Sequence, residues 1–430
     1  MPVSLFPTSL FRSKMLVEEK PYRGPSLFPI PREGTGLEQG GNMKPFAKSM
    51  GRIGTESAFE VLARAKALEA QGKKMLYFNI GEPDFPTAPN IVEAAKKALD
   101  AGYTHYVPSP GIPEVRDAVC TYVEKTRGFR PERSQVLMVP GAKPIIAFTI
   151  MATCEKGDQV IYQDPGFPIY ESMIRYIGAK PVPIKLKEKN EFRLDPEDIK
   201  KKIKPKTKLM IINSPHNPTG SVMTEEEIKT ISDLCHDNGI WLLSDEVYNE
   251  ILYEGKHYSP SVYDKCMERT ILLDGFSKTF AMTGWRLGYG VMPPELIKWE
   301  TLLTINSVSC TSAFSQMAAK EALLGQHESV LAMVEEFRRR RDYMVEGLNH
   351  VKGWSCLKPG GAFYVFPNVK KLKMPVKDIE NHLLNDLGIA SLCGTAFGKA
   401  GEGYMRFSYA SPMEKIKELI EVLKKEYGEK

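Results

Sequence analysis

The chain has no apolar run long enough to cross a membrane as a helix. Cysteine and histidine are scarce, with seven of each among 430 residues. Cys120, Cys154, Cys235, Cys266, Cys310, Cys356 and Cys393 are dispersed, and no two stand at metal-ligand or redox spacing. A disulfide scaffold and a metal site are therefore not expected, and the odd, scattered set points to reduced thiols and a cytoplasmic setting. A strong charge bias is missing too. The 58 basic side chains face 53 acidic ones, for a net +5, which is too mild for nucleic-acid binding and favours small anions only slightly. The one cationic run, Arg338-Arg339-Arg340-Arg341, sits in a helical pattern behind Glu335 and Glu336. Its expected role is a solvated helix face pairing with those acids.

What is present fits a globular protein long enough for two domains and a large core. The first 42 residues differ from the rest. Pro25, Pro29, Pro31, Gly34, Gly36, Gly40 and Gly41 break any regular period, so a flexible extension is expected there, with Met43 as an alternative start. Ser57 and Glu60 have the spacing of a capping box, and the helix they open is expected to stop at Gly72. A short strand is expected over residues 75–80. Helices and apolar strands then alternate, with strands over residues 135–139, 159–162, 208–212, 240–243 and 270–273. One intervening helix starts with a second box, Thr224 and Glu227, and ends at Gly239. Alternation of this kind predicts an α/β fold, a mainly parallel sheet sandwiched by helices. Past residue 286 the pattern changes to a long helical region over 312–350, short strands over 362–366 and 404–409, and an amphipathic helix from Pro412. A smaller α+β domain is expected from residues 43–91 with 330–430, beside a large domain over 92–329.

The most informative stretch runs from Gly275 to Arg286. Lys278 follows Ser277 at the end of an apolar strand, among Phe276, Phe280 and Trp285. Such neighbours desolvate an amine and make it nucleophilic, with a surface lysine as the bland alternative. Arg286 and Ser277 suit a phosphate, the guanidinium forking onto two oxygens and the hydroxyl donating a third bond. Two other expected strands also end in polar groups. One runs into Asn217-Pro218-Thr219-Gly220, the other into Asp245-Glu246-Val247-Tyr248. Taken singly, Asn217 reads as a turn residue, Asp245 as a helix cap and Tyr248 as core packing. Taken together, they gather where open α/β sheets bind ligands, at the carboxyl ends of the strands.

With Tyr404-Met405-Arg406-Phe407-Ser408, these motifs make the chain resemble the class I/II aminotransferases of the fold-type I pyridoxal phosphate superfamily, particularly those of the bacterial and archaeal aspartate aminotransferase type. The resemblance covers roughly residues 43–427. It implies pyridoxal 5′-phosphate as cofactor, with Lys278 forming the Schiff base and then moving the substrate proton. It implies Asp245 against the pyridine nitrogen and Asn217 and Tyr248 toward the phenolate oxygen, with Phe167 stacked on the ring. Backbone N–H groups of Gly141, Ala142 and Lys143 would join Ser277 and Arg286 at the phosphate. A hydroxyl side chain common in that loop is missing here. Tyr106 matches a tyrosine that reaches the neighbouring subunit's phosphate, which implies a homodimer with a shared site.

The same resemblance gives Arg406 and Gly81 the substrate α-carboxylate. It gives Lys143 the distal carboxylate of an acidic substrate, against a bland reading as a solvent-facing lysine at a helix start. Cys393 stands where relatives usually carry proline, near the substrate side chain. The implied reaction moves an amino group between an L-amino acid, aspartate or glutamate, and a 2-oxo acid, 2-oxoglutarate, by a ping-pong mechanism. A carbon–sulfur lyase of the same fold shares nearly every residue. A cofactor-sensing regulator would need a winged helix-turn-helix that the 42-residue extension is too short to supply.

Overall fold

Apolar runs without alternation become strands buried on both faces. The computed structural model, which describes residues 46–430, gathers six such strands and one more exposed edge strand in one sheet. The extension expected over residues 1–42, with Met43, lies outside the described residues. In chain order the strands are β1 (Leu76–Tyr77), β2 (Val136–Val139), β3 (Gln159–Asp164), β4 (Lys180–Lys185), β5 (Thr207–Asn213), β6 (Trp241–Asp245), β7 (Thr270–Gly275), β8 (Gly288–Val291), β9 (Tyr364–Val365), β10 (Ile389–Ala390), β11 (Leu392–Cys393) and β12 (Met405–Ser408). The helices are α1 (Ser57–Ala70), α2 (Pro89–Asp100), α3 (Pro113–Arg127), α4 (Lys143–Thr153), α5 (Pro168–Ile177), α6 (Pro196–Lys202), α7 (Glu225–Asp237), α8 (Ser261–Asp264), α9 (Pro294–Val308), α10 (Ala313–Leu324), α11 (Glu328–His350), α12 (Val376–Asn385) and α13 (Met413–Tyr427).

The large sheet has the order β2-β8-β7-β6-β5-β3-β4. Neighbours from β4 to β7 are parallel, and β8 is antiparallel to both β7 and β2. Alternate residues of β7 serve opposite faces, as the period of two requires. Ile271 and Leu273 join a core with Ile145 and Ile150 of α4 and Leu296 of α9. Leu272 joins the core on the other face with Val119 of α3 and Ala318 of α10. Asn213 pairs in register with Asp245, and Asp245 with Leu273. The polar ends of β5 and β6 thus lie side by side, and the Lys278 segment leaves β7 at the same edge. Away from this sheet, β11-β12-β9 form a second sheet and β1 pairs with β10. Phe363 and Phe407 pack there with Phe337 and Leu348 of α11 and Leu419 of α13.

Several local expectations need correction. Ser57 does not cap α1 but is its first residue; Glu56 holds the cap position, with no side-chain cap bond. The Thr224–Glu227 box is formed as expected, with Thr224 N–H donating to Glu227 Oε2 at 2.9 Å. The short strand expected over 75–80 is confined to β1. The helical region over 312–350 breaks into α10 and α11 around Gly325. β4 was not anticipated because Pro181 and Pro183 argue against a strand; it is an edge strand, where a missing N–H is tolerated. The arginine run divides. Arg338 and Arg339 do pair with Glu335 and Glu336 near solvent. Arg340 and Arg341 are buried, Arg340 reaching Asp84 at 2.7 Å and Arg341 reaching Glu254 at 3.1 Å.

Candidate active site

A cavity of about 340 Å³ opens at the carboxyl edge of β5, β6 and β7. The segment after β7 is anchored because Phe276 and Phe280 sink into the core below. Lys278 between them turns toward the cavity, and its Nζ donates to the Gly81 carbonyl at 2.6 Å. The residue as a whole is only partly exposed. That burial pushes the Lys278 pKa down to about 8, with Glu82 acting against the drop and Lys143 adding to it. A lysine so placed is an amine nucleophile near neutral pH. A side chain at Gly81 would overlap the Tyr364 hydroxyl, so glycine lets this backbone approach.

Asp245, the last residue of β6, is buried in the wall of the same cavity. Its carboxylate accepts from the Tyr170 hydroxyl at 2.6 Å and the Val247 N–H at 3.4 Å. Burial pushes its pKa up to about 6, against those two hydrogen bonds, and Asp274 and Glu246 nearby add to the rise. A cationic ligand atom beside it would relieve that penalty. Glu246 and Asp274 themselves share the buried Arg127, at 3.1 and 2.9 Å. Tyr248 and Tyr364 join hydroxyls at 2.9 Å.

Arg406 of β12 is buried, and burial lowers its pKa. Its Nη1 donates to Asn217 Oδ1 at 3.2 Å and its Nη2 to the Asn79 carbonyl, while Nε has no partner. The guanidinium lies 4.5 Å from the Tyr364 ring centre and 4.7 Å from that of Phe397. No carboxylate among the described residues pairs with it, so it is a buried cation without an anion.

A second anion site is built around Arg286. This residue adopts a left-handed conformation, φ 53°, and its Nη1 donates to the Thr283 carbonyl at 2.8 Å. Gly141 has φ 81°, which favours glycine, and a side chain there would have to displace the guanidinium. Ala142 holds the cap position of α4 with no side-chain cap bond, which leaves N–H groups at that helix start for a ligand. Ser277 lines the cavity with Arg286. These donors fit a phosphate, and Asp245 fits a protonated ring nitrogen.

Of the residues singled out by sequence, Gly81, Ala142, Lys143, Phe167, Asn217, Asp245, Tyr248, Ser277, Lys278, Arg286 and Arg406 all line this cavity. Gly141 supports it from behind Arg286. Tyr106 does not line it; 89% exposed, it borders a separate surface hollow. Lys143 is half-exposed and ion-paired with Glu56, its Nζ 5.5 Å from the centre of the Phe167 ring. Sequence reasoning missed Tyr170, Tyr364 and Glu56. Tyr170 carried a faint signal, one helical turn beyond Phe167.

An amine nucleophile, a buried aspartate and a phosphate cradle on the carboxyl edge of a mainly parallel sheet define a pyridoxal 5′-phosphate enzyme of fold-type I. Comparison with known proteins narrows the class. The sequence model described as aminotransferase class I and II matches residues 73–423, and the chain belongs to that family. An aspartate aminotransferase of Pyrococcus horikoshii is 41% identical over 85% of this chain and 93% of its own length. An aromatic-amino-acid aminotransferase 2 of Thermococcus litoralis is 38% identical over 84% and 94%. The structure of the Thermus thermophilus aspartate aminotransferase with maleate superposes with a TM-score of 0.84 at 34% identity, covering 88% of this chain and 99% of that one. The enzyme is accordingly a transaminase dependent on pyridoxal 5′-phosphate.

Proposed function

We propose that the enzyme moves the amino group of aspartate or glutamate to a 2-oxo acid, preferably 2-oxoglutarate, in two half-reactions. The observation that carries this reading is the pair of cations on one cavity, an anion-free Arg406 and the Lys143 ammonium. Arg406 takes the α-carboxylate in two parallel bonds, with help from the Gly81 backbone. Lys143 takes the distal carboxylate. The bound cofactor supplies a ring that accepts the electron pair of the substrate Cα–H bond. Asp245 holds a proton on the ring nitrogen, kept in place by the Tyr170 hydroxyl. Asn217 and Tyr248 would donate to the ring oxygen, and Phe167 would pack against the ring. Ser277, Arg286 and the backbone from Gly141 to Lys143 hold the phosphate. Lys278 would hold the cofactor through Nζ, and the same amine, once exchanged for that of the substrate, would move the proton between Cα and the cofactor.

The same proposal includes a homodimer in which Tyr106 reaches the partner's phosphate, supported by its exposure. It includes a division into a large unit of residues 92–329 and a smaller one of 43–91 with 330–430. Seven unpaired cysteines support a cytoplasmic setting. The test is a half-reaction screen with the cofactor-loaded protein. Aspartate and glutamate are expected to bleach the yellow absorbance and 2-oxoglutarate to restore it, with parallel lines in two-substrate kinetics. Arg406→Ala should lower kcat/KM by about 100-fold or more, since each of its charge-assisted bonds contributes about 1.5–3 kcal/mol. No bleaching by either amino acid would remove the role given to Lys143.

A further inference from the structure

The cavity that holds the two cations also holds a carboxylate of the protein's own. Glu56 stands at the cap position of α1, φ −92° and ψ 112°, yet its side chain does not cap that helix. It bonds to Lys143 Nζ instead. The Glu56 side chain is 17% exposed and that of Lys143 47%, so the pair sits at the border of cavity and solvent. Lys143 is the first residue of α4, which has no acidic residue in its first turn. Peptide dipoles disfavour a cation there, so an anion is needed to hold it. Of the other two acids on the cavity wall, Asp245 is held by the Tyr170 hydroxyl and Glu82 is engaged by the Thr283 hydroxyl.

A transaminase must fit two different side chains into one pocket, one per half-reaction. When the side chain is apolar, a lysine desolvated beside it without a partner is costly. Glu56 removes that cost from within the protein. When the side chain ends in a carboxylate, that carboxylate and Glu56 compete for one ammonium and repel each other. We propose that Glu56 is a specificity-determining residue. It is a resident carboxylate that neutralises Lys143 for uncharged and aromatic substrates and gives way to dicarboxylates. The inference rests on the aminotransferase reading above and on Lys143 facing the substrate side chain.

Two unreactive probes test it by calorimetric titration of the cofactor-loaded enzyme, succinate for the acidic side chain and 3-phenylpropanoate for the aromatic one. In Glu56→Gln, succinate should bind tighter and 3-phenylpropanoate weaker, each by roughly two- to fivefold, the scale of a part-exposed ion pair. The kcat/KM ratio of aspartate to phenylalanine should rise with it. Lys143→Met should weaken succinate, and adding Glu56→Gln to it should no longer weaken 3-phenylpropanoate, because Glu56 then has no ammonium to neutralise and only its repulsion of succinate is lost. A merely structural role for Glu56 would weaken both probes together. That result, or no change in either, overturns the proposal. Absence of transamination with every amino acid would instead overturn the functional reading, while the titrations still decide whether Glu56 masks Lys143.

Discussion

A lysine becomes a catalyst by losing part of its affinity for a proton, and here Lys278 loses it through burial. Its pKa falls from 10.5 to about 8, although Glu82 pulls the other way. The free amine is the reactive form. Its share therefore rises about tenfold per pH unit below 8 and levels off above. The rate at which cofactor-free protein captures pyridoxal 5′-phosphate should follow that curve between about pH 6.5 and 9.5. Stopped-flow absorbance of the yellow product measures it. A rate that keeps climbing toward the ordinary lysine range would show that Lys278 is not desolvated, and Lys278→Ala should abolish the absorbance change that marks imine formation. Lys278 was legible in the sequence because its neighbours Phe276 and Phe280 are local. Glu56 was not, because its partner Lys143 lies 87 residues away and meets it only after α1 and α4 are placed.

The same division holds for elements. The α7 start was readable because Thr224 and Glu227 bond to each other within one turn. The α1 start was misread because a competing long-range partner draws Glu56 and leaves Ser57 inside the helix. β4 was invisible because its prolines are permitted only by its place at the sheet edge, which no local pattern shows. Glu300 on α9 is a further case. It reads as an ordinary helical acid, yet it is fully buried against α4, where Oε1 accepts from the Thr149 hydroxyl at 2.7 Å and Oε2 has no partner. Burial pushes its pKa from 4.5 up to about 8, the Thr149 bond notwithstanding. Between those values the folded chain keeps a proton that the unfolded chain has lost. Stability must therefore fall as pH rises through this window, by up to about 1.4 kcal/mol per unit from this group. Glu300→Gln keeps the shape without the proton to lose. Its thermal midpoint should gain on the parent steadily from about pH 5.5 to 7.5, and a gap that does not change with pH would count against a protonated Glu300.

The opposite side of α9 raises the question of the whole molecule. Trp299 is 62% exposed, and Leu302, Ile305 and Val308 continue the apolar stripe along the helix. Exposed apolar surface of this kind commonly marks an interface. The homodimer proposed above would cover such a surface and give Tyr106 a partner across it. A shared site has a consequence that separate sites lack. Tyr106→Ala should lose roughly 10- to 100-fold in activity, the worth of one or more hydrogen bonds to a charged group. Lys278→Ala should be inactive. If Tyr106 serves the partner's cofactor, a mixed dimer of the two variants contains one intact site, built from Lys278 of one chain and Tyr106 of the other. After subunit exchange of equal amounts, half the dimers are mixed and each has one good site in two. Activity should then recover to about one quarter of the unmodified enzyme per chain, far above either variant alone. Recovery that stays at half the residual activity of Tyr106→Ala would mean that Tyr106 serves only its own chain.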